Sequence, residues 1–235
     1  MLGLNYKLEK LEKAGTPILT GIIGAGQMGQ GMVSQMYLME GMNPAIVVDI
    51  NTELAKKALL HAGVSEDKIK YTKCSCEADE WIAQGNFVVT DDSKVVTDSK
   101  KIEVLIEATG VTEVGAKIAL DTIMGKKHLV MLNAETDVVI GPLLKKLADN
   151  AGVVYTGAAG DEPAATKELY DFAKAAGFDV RVIGKGKNNK IDKDCNPDTV
   201  AEEAERRGVS AHMLASFKEG SKTMVELAVM SNSTG

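Results

Sequence analysis

Between residues 17 and 49 the sequence runs from an apolar stretch through a glycine turn and a helix-periodic segment to a second apolar stretch that ends in an acid. The pieces are Pro17–Ile23, then Gly24-Ala25-Gly26-Gln27-Met28-Gly29, a helical pattern to Met39, then Ala45–Val48 and Asp49. Two short apolar strands joined by a helix-length crossover predict a right-handed βαβ unit with parallel strands. The glycines have the G-x-G-x-x-G spacing, and Asp49 follows them at the ~20-residue distance of a dinucleotide site. Each residue in that pattern has a physical task. Gly24 permits a tight turn, Gly26 lets the backbone approach a pyrophosphate, and Gly29 lets the helix lie close to the strand. A helix opening at Gln27 and Met28 would aim its free N–H groups at the anion. Asp49 can accept the two ribose hydroxyls of an adenosine and repels a 2′-phosphate. The expected cofactor is therefore NAD or NADP, with NAD favoured. Two plainer readings stand beside this one: a glycine turn without a ligand, and Asp49 as the cap of the next helix.

The same alternation continues. A helix is expected over Thr52–Ala62, then a polar excursion from Ser65 to Gly85 with a short helix and Trp81. Strands follow at Phe87–Thr90, Val104–Gly110, His128–Leu132 and Val153–Tyr155, with helices at Val114–Met124 and Thr136–Asn150, where Gly141-Pro142 imposes a late start or a kink. Alternating strands and helices predict an α/β fold with a doubly wound parallel sheet of six strands. From Thr156 the composition changes. A small-residue loop, Gly157–Pro163, precedes a helix (Ala164–Ala176), a strand (Phe178–Ile183), a polar loop (Gly184–Lys190) and a solvated helix (Asp198–Arg207). The expected division is a dinucleotide-binding domain over 1–156 and a smaller α/β substrate region over 157–235. That second region ends abruptly and is expected to be incomplete.

Ligands of doubly wound sheets sit at the carboxyl ends of the strands, near the reversal of strand order. Ala108, Thr109 and Gly110 leave a strand with side chains small enough to admit a nicotinamide ribose, or form a plain tight turn. Asn133, at the next strand end, is either a ligand to the nicotinamide or a helix N-cap. Hydride reduction of a carbonyl needs a proton donor and positive charge over the developing alkoxide. Lys185, Lys187, Asn188, Asn189 and Asp192 supply those groups on one loop, with a solvated basic turn as the alternative. Lys222 has helical spacing with Glu219 and Glu226 and is either an inward catalytic lysine or part of a surface ion-pair set. The methionines Met28, Met32, Met36 and Met39 read as core. No pair of histidines has zinc-ligand spacing, and no metal is expected.

A net charge of -6 excludes the basic footprint of a nucleic-acid binder. No apolar stretch reaches the ~18 residues of a bilayer span. Cys74, Cys76 and Cys195 are odd in number and lack C-x-x-C spacing, which predicts reduced thiols and a cytoplasmic protein. The expected partner is a small-molecule substrate. Neither nucleic acid nor membrane is expected, and a homo-oligomer is left open.

The loop Gly157-Ala158-Ala159-Gly160-Asp161-Glu162-Pro163, followed by Gly184-Lys185-Gly186-Lys187-Asn188-Asn189, resembles the layout of homoserine dehydrogenases. The stretches Asn196–Ala201 and Lys222-Thr223-Met224-Val225-Glu226 are similar to the homoserine dehydrogenase-like family whose long members carry a C-terminal SAF domain. That resemblance implies an NAD(P)-dependent oxidoreductase acting on a small polar metabolite. It also implies, as an alternative, a reductoisomerase of the DXR-like group acting on a phospho-sugar, with Asp161 and Glu162 as metal ligands. Asn133 matches the family's strand-end asparagine, but Ala134 and Glu135 stand where those dehydrogenases have lysine. A non-catalytic dinucleotide-binding regulatory protein is the rival outside enzymes.

Overall fold

The computed structural model describes residues 3–187 and 189–235. They form two compact units: residues up to Thr136 together with Leu143–Thr156, and Asp137–Pro142 together with Gly157–Gly235.

The first unit begins with helix α1 (Leu4–Lys13) and strand β1 (Ile18–Ile23). It continues through α2 (Gln27–Leu38), β2 (Met42–Val48), α3 (Thr52–Ala62), β3 (Ile69–Tyr71), α4 (Ser75–Ala83), β4 (Phe87–Thr90) and α5 (Ser93–Asp98). Then come β5 (Val104–Glu107), α6 (Thr112–Met124), β6 (His128–Met131), α7 (Ala134–Ala151) and β7 (Tyr155–Gly157). The seven strands lie in the order β3-β4-β2-β1-β5-β6-β7. Registered pairings of β1 with β2 and β5, of β4 with β2 and β3, and of β5 with β6 are parallel. This is the doubly wound, Rossmann-like α/β sheet that the alternation predicts, with its reversal at β1 and β5. Strands covered on both faces must be apolar throughout, and every residue of β4 and the last five of β2 are buried. On one face Ile22, Val47, Val89 and Ile106 meet Val33 and Met36 of α2 and Ala55, Ala58 and Leu59 of α3.

Three expectations change. The sheet has seven strands rather than six, because Ile69–Tyr71 in the polar excursion pairs with β4. A three-residue edge strand with no buried residue leaves no periodic signal. Helix α7 starts at Ala134 instead of late, since Asn133 caps it by accepting the Thr136 N–H at 3.1 Å. Pro142 inside that helix removes the N–H that would bond the Val138 carbonyl, and the Asn232 amide donates to that oxygen instead, at 3.3 Å. Only Met36 of the four methionines is fully buried, and Met28 is 63% exposed.

The second unit holds α8 (Glu162–Ala175), α9 (Ala201–Arg207), α10 (Ala211–Glu219) and α11 (Ser221–Thr234). Its small core joins Val200 and Ala204 to Leu214 and Ala215. The predicted strand Phe178–Ile183 is not one. Its apolar residues Phe178 and Val182 are exposed and it pairs with no described strand, so the run stays irregular. The predicted helix from Asp198 begins only at Ala201, because Asn196 draws the Asp198 and Thr199 N–H groups into a local turn.

Candidate functional sites in the two units

Four strand ends, of β1, β2, β4 and β5, are pinned together in the first unit. The Gly24 N–H donates to Val48 O at 2.8 Å, the Ala108 N–H to Ile23 O at 2.8 Å, and the Asp49 N–H to Thr90 O at 3.0 Å. Gly24 is in the left-handed region (φ 101°), and a Cβ there would lie 2.6 Å from the Ala108 carbonyl oxygen. Gly29 abuts the Gly24 carbonyl, so that a Cβ at position 29 would overlap it. A Cβ at Gly26, by contrast, would meet nothing within 4 Å. The first and third glycines are thus required by the chain's own packing, while the middle one faces open space. Gly26 is the N-cap of α2 with no side chain capping it, so the first amides of the helix, at Gln27, Met28 and Gly29, are left for an outside acceptor. Open space over a residue without a Cβ, beside free helix-end amides, fits the pyrophosphate of a dinucleotide.

Asp49 is tied to this turn. Its Oδ2 accepts the Ala25 N–H at 2.7 Å and its Oδ1 accepts the Asn51 N–H at 2.8 Å. The cap of α3 is Asn51, which accepts from the Glu53 N–H. The carboxylate keeps lone pairs on both oxygens for a diol. Lys56 is turned to Glu66 at 2.6 Å in an exposed pair, and each partner holds the other's charged form.

Beyond β5, Gly110 turns the chain with φ 69°, and Thr109 is held by Glu107 through its N–H (2.9 Å) and its hydroxyl. Asn133 is only 2% exposed. Its Nδ2 donates to Val111 O at 3.2 Å, and its Oδ1 caps α7. Of the two sequence readings for Asn133, the structure shows the cap. Glu107, which the sequence reading passed over, is wholly buried. The only signal for it was an acid closing an otherwise apolar strand.

In the second unit Lys185 lies between two carboxylates. Its Nζ is 2.6 Å from Glu162 Oε1 and also bonds Glu226 Oε2. Glu226 is 2% exposed, on the stripe of α11 that buries Thr223, Val229 and Met230. The surface reading of Glu219, Lys222 and Glu226 is therefore corrected for Glu226, because helical spacing alone does not say which face is covered. Burial works against the Lys185 charge, but the two carboxylates outweigh it and raise its pKa. Oxygens of Asp161, Glu162 and Glu226 lie within 4.8 Å of one another. Burial first, then the hydrogen bond with Glu162 and the charges of Glu162 and Glu226, push Asp161 up to about 6, against the opposing charge of Lys222. Glu162 is held low, chiefly by Lys185.

The predicted loop does not act as one group. Lys187 Nζ donates to the Phe217 carbonyl, which the Asn189 amide also reaches at 3.5 Å. The Asp192 N–H donates to Lys218 O, and its Oδ1 accepts the Asp194 N–H. These three residues cap the C-terminal end of α10 and brace a local turn, work that cations and amides do well at free helix carbonyls. Asn188 lies outside the described residues. Lys185 alone of the loop joins the carboxylates, with Lys222 acting on Asp161.

Among the described residues, no helix is long and apolar enough to cross a membrane, and the three cysteines are free. Residues 160–235 match the family described as oxidoreductase DRL, catalytic domain. No curated protein matches the chain. Among solved structures, a homoserine dehydrogenase from Thiobacillus denitrificans is similar, at 20% identity and a TM-score of 0.54, over 82% of this chain and 43% of its own. The WlbA dehydrogenase from Bordetella pertussis, in complex with NADH and UDP-GlcNAcA, is 16% identical with a TM-score of 0.48, over 68% of this chain and 42% of its own. The chain thus spans about two fifths of the length of these structures. The likeness to the homoserine dehydrogenase is one of fold.

Proposed function

We propose that this chain is the nucleotide-binding and catalytic portion of an NAD(P)-dependent oxidoreductase of homoserine dehydrogenase-like type, acting on a small polar metabolite. The observation that carries the reading is the open cradle at Gly26, closed on both sides by glycines the packing demands and joined to Asp49. Gly24, Gly26, Gly29 and the amides of Gln27 and Met28 bind the pyrophosphate, and Asp49 binds the adenosine ribose, favouring NAD. Ala108, Thr109 and Gly110 border the nicotinamide end. The family match over residues 160–235 supports an oxidoreductase, and the printed ligands of the Bordetella enzyme make a nicotinamide cofactor the natural occupant.

When bound, the nicotinamide supplies or accepts a hydride at its C4. The chain's own groups handle the proton and the charge. Lys185 is held as an ammonium by Glu162 and Glu226, so it donates a hydrogen bond to a substrate oxygen and stabilises negative charge developing there. A substrate oxygen that gains a proton on reduction takes it from the Lys185–Asp161 cluster, and a hydroxyl oxidised there gives its proton to the same cluster. Asp161, with its carboxyl near 6, is the member suited to exchange protons at neutral pH. Lys222 offsets its negative charge.

A second reading, a reductoisomerase with a divalent cation on Asp161, Glu162 and Glu226, is supported by the closeness of their oxygens. Lys185 already bridges two of those carboxylates, so a cation there would have to displace it. Turnover that survives a strong chelator removes this alternative.

The test is a titration of the purified chain with NADH and NADPH, followed by energy transfer from Trp81 and by calorimetry. Saturable binding that Gly26→Asp abolishes is expected, with NADH the tighter. Absence of calorimetric binding by either nucleotide overturns the reading.

A further inference from the structure

Among the described residues of the first unit, Glu107 is the one fully buried carboxylate, and it has no task in the chemistry above. It closes β5, between Ile23 of β1 and Met131 of β6, at the point where the strand order reverses. Its two oxygens are treated unequally. Oε1 accepts both the N–H of Thr109, at 2.9 Å, and the Thr109 hydroxyl. Oε2 is sealed from solvent and receives no hydrogen bond. An ionised carboxylate spreads its charge over both oxygens, and a buried one with an undonated oxygen is costly. A carboxylic acid costs less here than a carboxylate: Oε1 is the carbonyl that accepts twice, and Oε2 is a neutral hydroxyl, whose missing partner is a smaller penalty than an undonated charge.

The surroundings are built around that acid. Position 115 of α6 is glycine, and a Cβ there would lie 2.8 Å from Glu107 Oε2, 2.8 Å from Asn133 Nδ2, and close to Thr136 Oγ1. Glycine inside a helix costs about 1 kcal/mol against alanine, and here it leaves space for the carboxyl. The residues touching Glu107 from β1, β6, α6 and Asn133 carry no charge. Burial is the strongest influence and raises its pKa against the donors of Thr109 and the Asn133 amide, which favour the ionised form, and the charge of Glu135, in the first turn of α7, adds to the burial effect. Thr109 passes the constraint on. Its Oγ1 accepts the Val111 N–H at 3.3 Å, and the Ala108–Thr109 peptide bond lies against Gly24, the first glycine of the nucleotide turn.

We propose that Glu107 is a positioning residue that works as a neutral acid, bracing the β5 exit loop Ala108–Gly110 in the form a nicotinamide dinucleotide binds. The proposal rests on the nucleotide-binding reading above. Ionisation of Glu107 would put an undonated negative oxygen under that loop and loosen it, so the affinity for NADH should fall as the pH rises past the carboxyl's raised pKa. Cofactor binding and proton retention are then coupled.

The test measures the NADH dissociation constant from pH 6 to 9.5 for the unaltered chain, Glu107→Gln and Glu107→Ala, with circular dichroism to check each fold. Glutamine keeps the acceptor and cannot ionise. Glu107→Gln should hold its pH 7 affinity within about threefold and lose the alkaline decline, whereas Glu107→Ala should bind about tenfold more weakly at every pH. If Glu107→Ala does not fold, the comparison of the unaltered chain with Glu107→Gln decides alone. A Gln variant that declines with pH in parallel with the unaltered chain overturns the brace, as does one as weak as Ala. If the unaltered chain binds NADH at no pH, the nucleotide reading itself has failed, and the proposal fails with it.

Discussion

Replacing Lys185 by Met keeps most of the side-chain stem and removes only the charge that sits between Glu162 and Glu226. Glu226, 2% exposed, then loses the ammonium it pairs with, and the oxygens of Asp161 and Glu162 lie within 4.8 Å of its own. Leaving a buried charge without its partner costs about 3–5 kcal/mol. Lys185→Met should therefore lower stability by about 3 kcal/mol. Glu226→Gln is the contrast. Lys185 keeps Glu162 at 2.6 Å, the amide fills the same volume, and the loss should be about 1 kcal/mol. Urea unfolding followed by circular dichroism gives both numbers. A loss from Lys185→Met no larger than that from Glu226→Gln would refute the idea that an enclosed carboxylate depends on Lys185.

Asp161 offers a pH test. Its carboxyl is raised to about 6, so its contribution to stability is present below the ordinary aspartate range and is lost as pH climbs through 6. Asp161→Asn should flatten the stability profile between pH 4 and 7 by on the order of 1–2 kcal/mol, allowing for screening at this partly open site; an unchanged profile would contradict it. At the nucleotide turn, Gly29→Ala should lower the melting temperature by roughly 5 °C because its methyl overlaps the Gly24 carbonyl, while Gly26→Ala should leave melting unchanged and weaken NADH binding. Both effects read out by calorimetry, and equal melting of the two variants would be wrong for this packing. Asp49→Ser should narrow the ratio of NADPH to NADH dissociation constants by about tenfold, and a ratio that stays put would remove Asp49 from cofactor choice.

The dinucleotide motif was legible because its parts are local. Gly24, Gly26 and Gly29 act within one turn, and the bounds of α3 and β4 follow from a cap residue, a glycine and an unbroken apolar run. The edge strand β3 escaped notice because three residues carry no period, and its pairing depends on β4 being next to it. The run Phe178–Ile183 shows the reverse: β-branched residues favour extension, but strand formation needs a hydrogen-bonding neighbour that no local pattern provides.

Sequence by itself determined the alternation of the longer strands and helices of the first unit, the glycine turn and the acid that follows it, since backbone sterics and hydrophobic periodicity are properties of near neighbours. Only the tertiary structure decided which charged residues meet. Lys185 and Glu226 are far apart in the chain, and Lys187 is two residues from Lys185, yet the first pair share a bond and Lys187 turns to the end of α10. Burial is likewise decided in three dimensions. Glu107 becomes a sealed acid because β1, β6 and Gly115 close around it, and desolvation, which sets its protonation, is a property of that enclosure rather than of its place in the sequence.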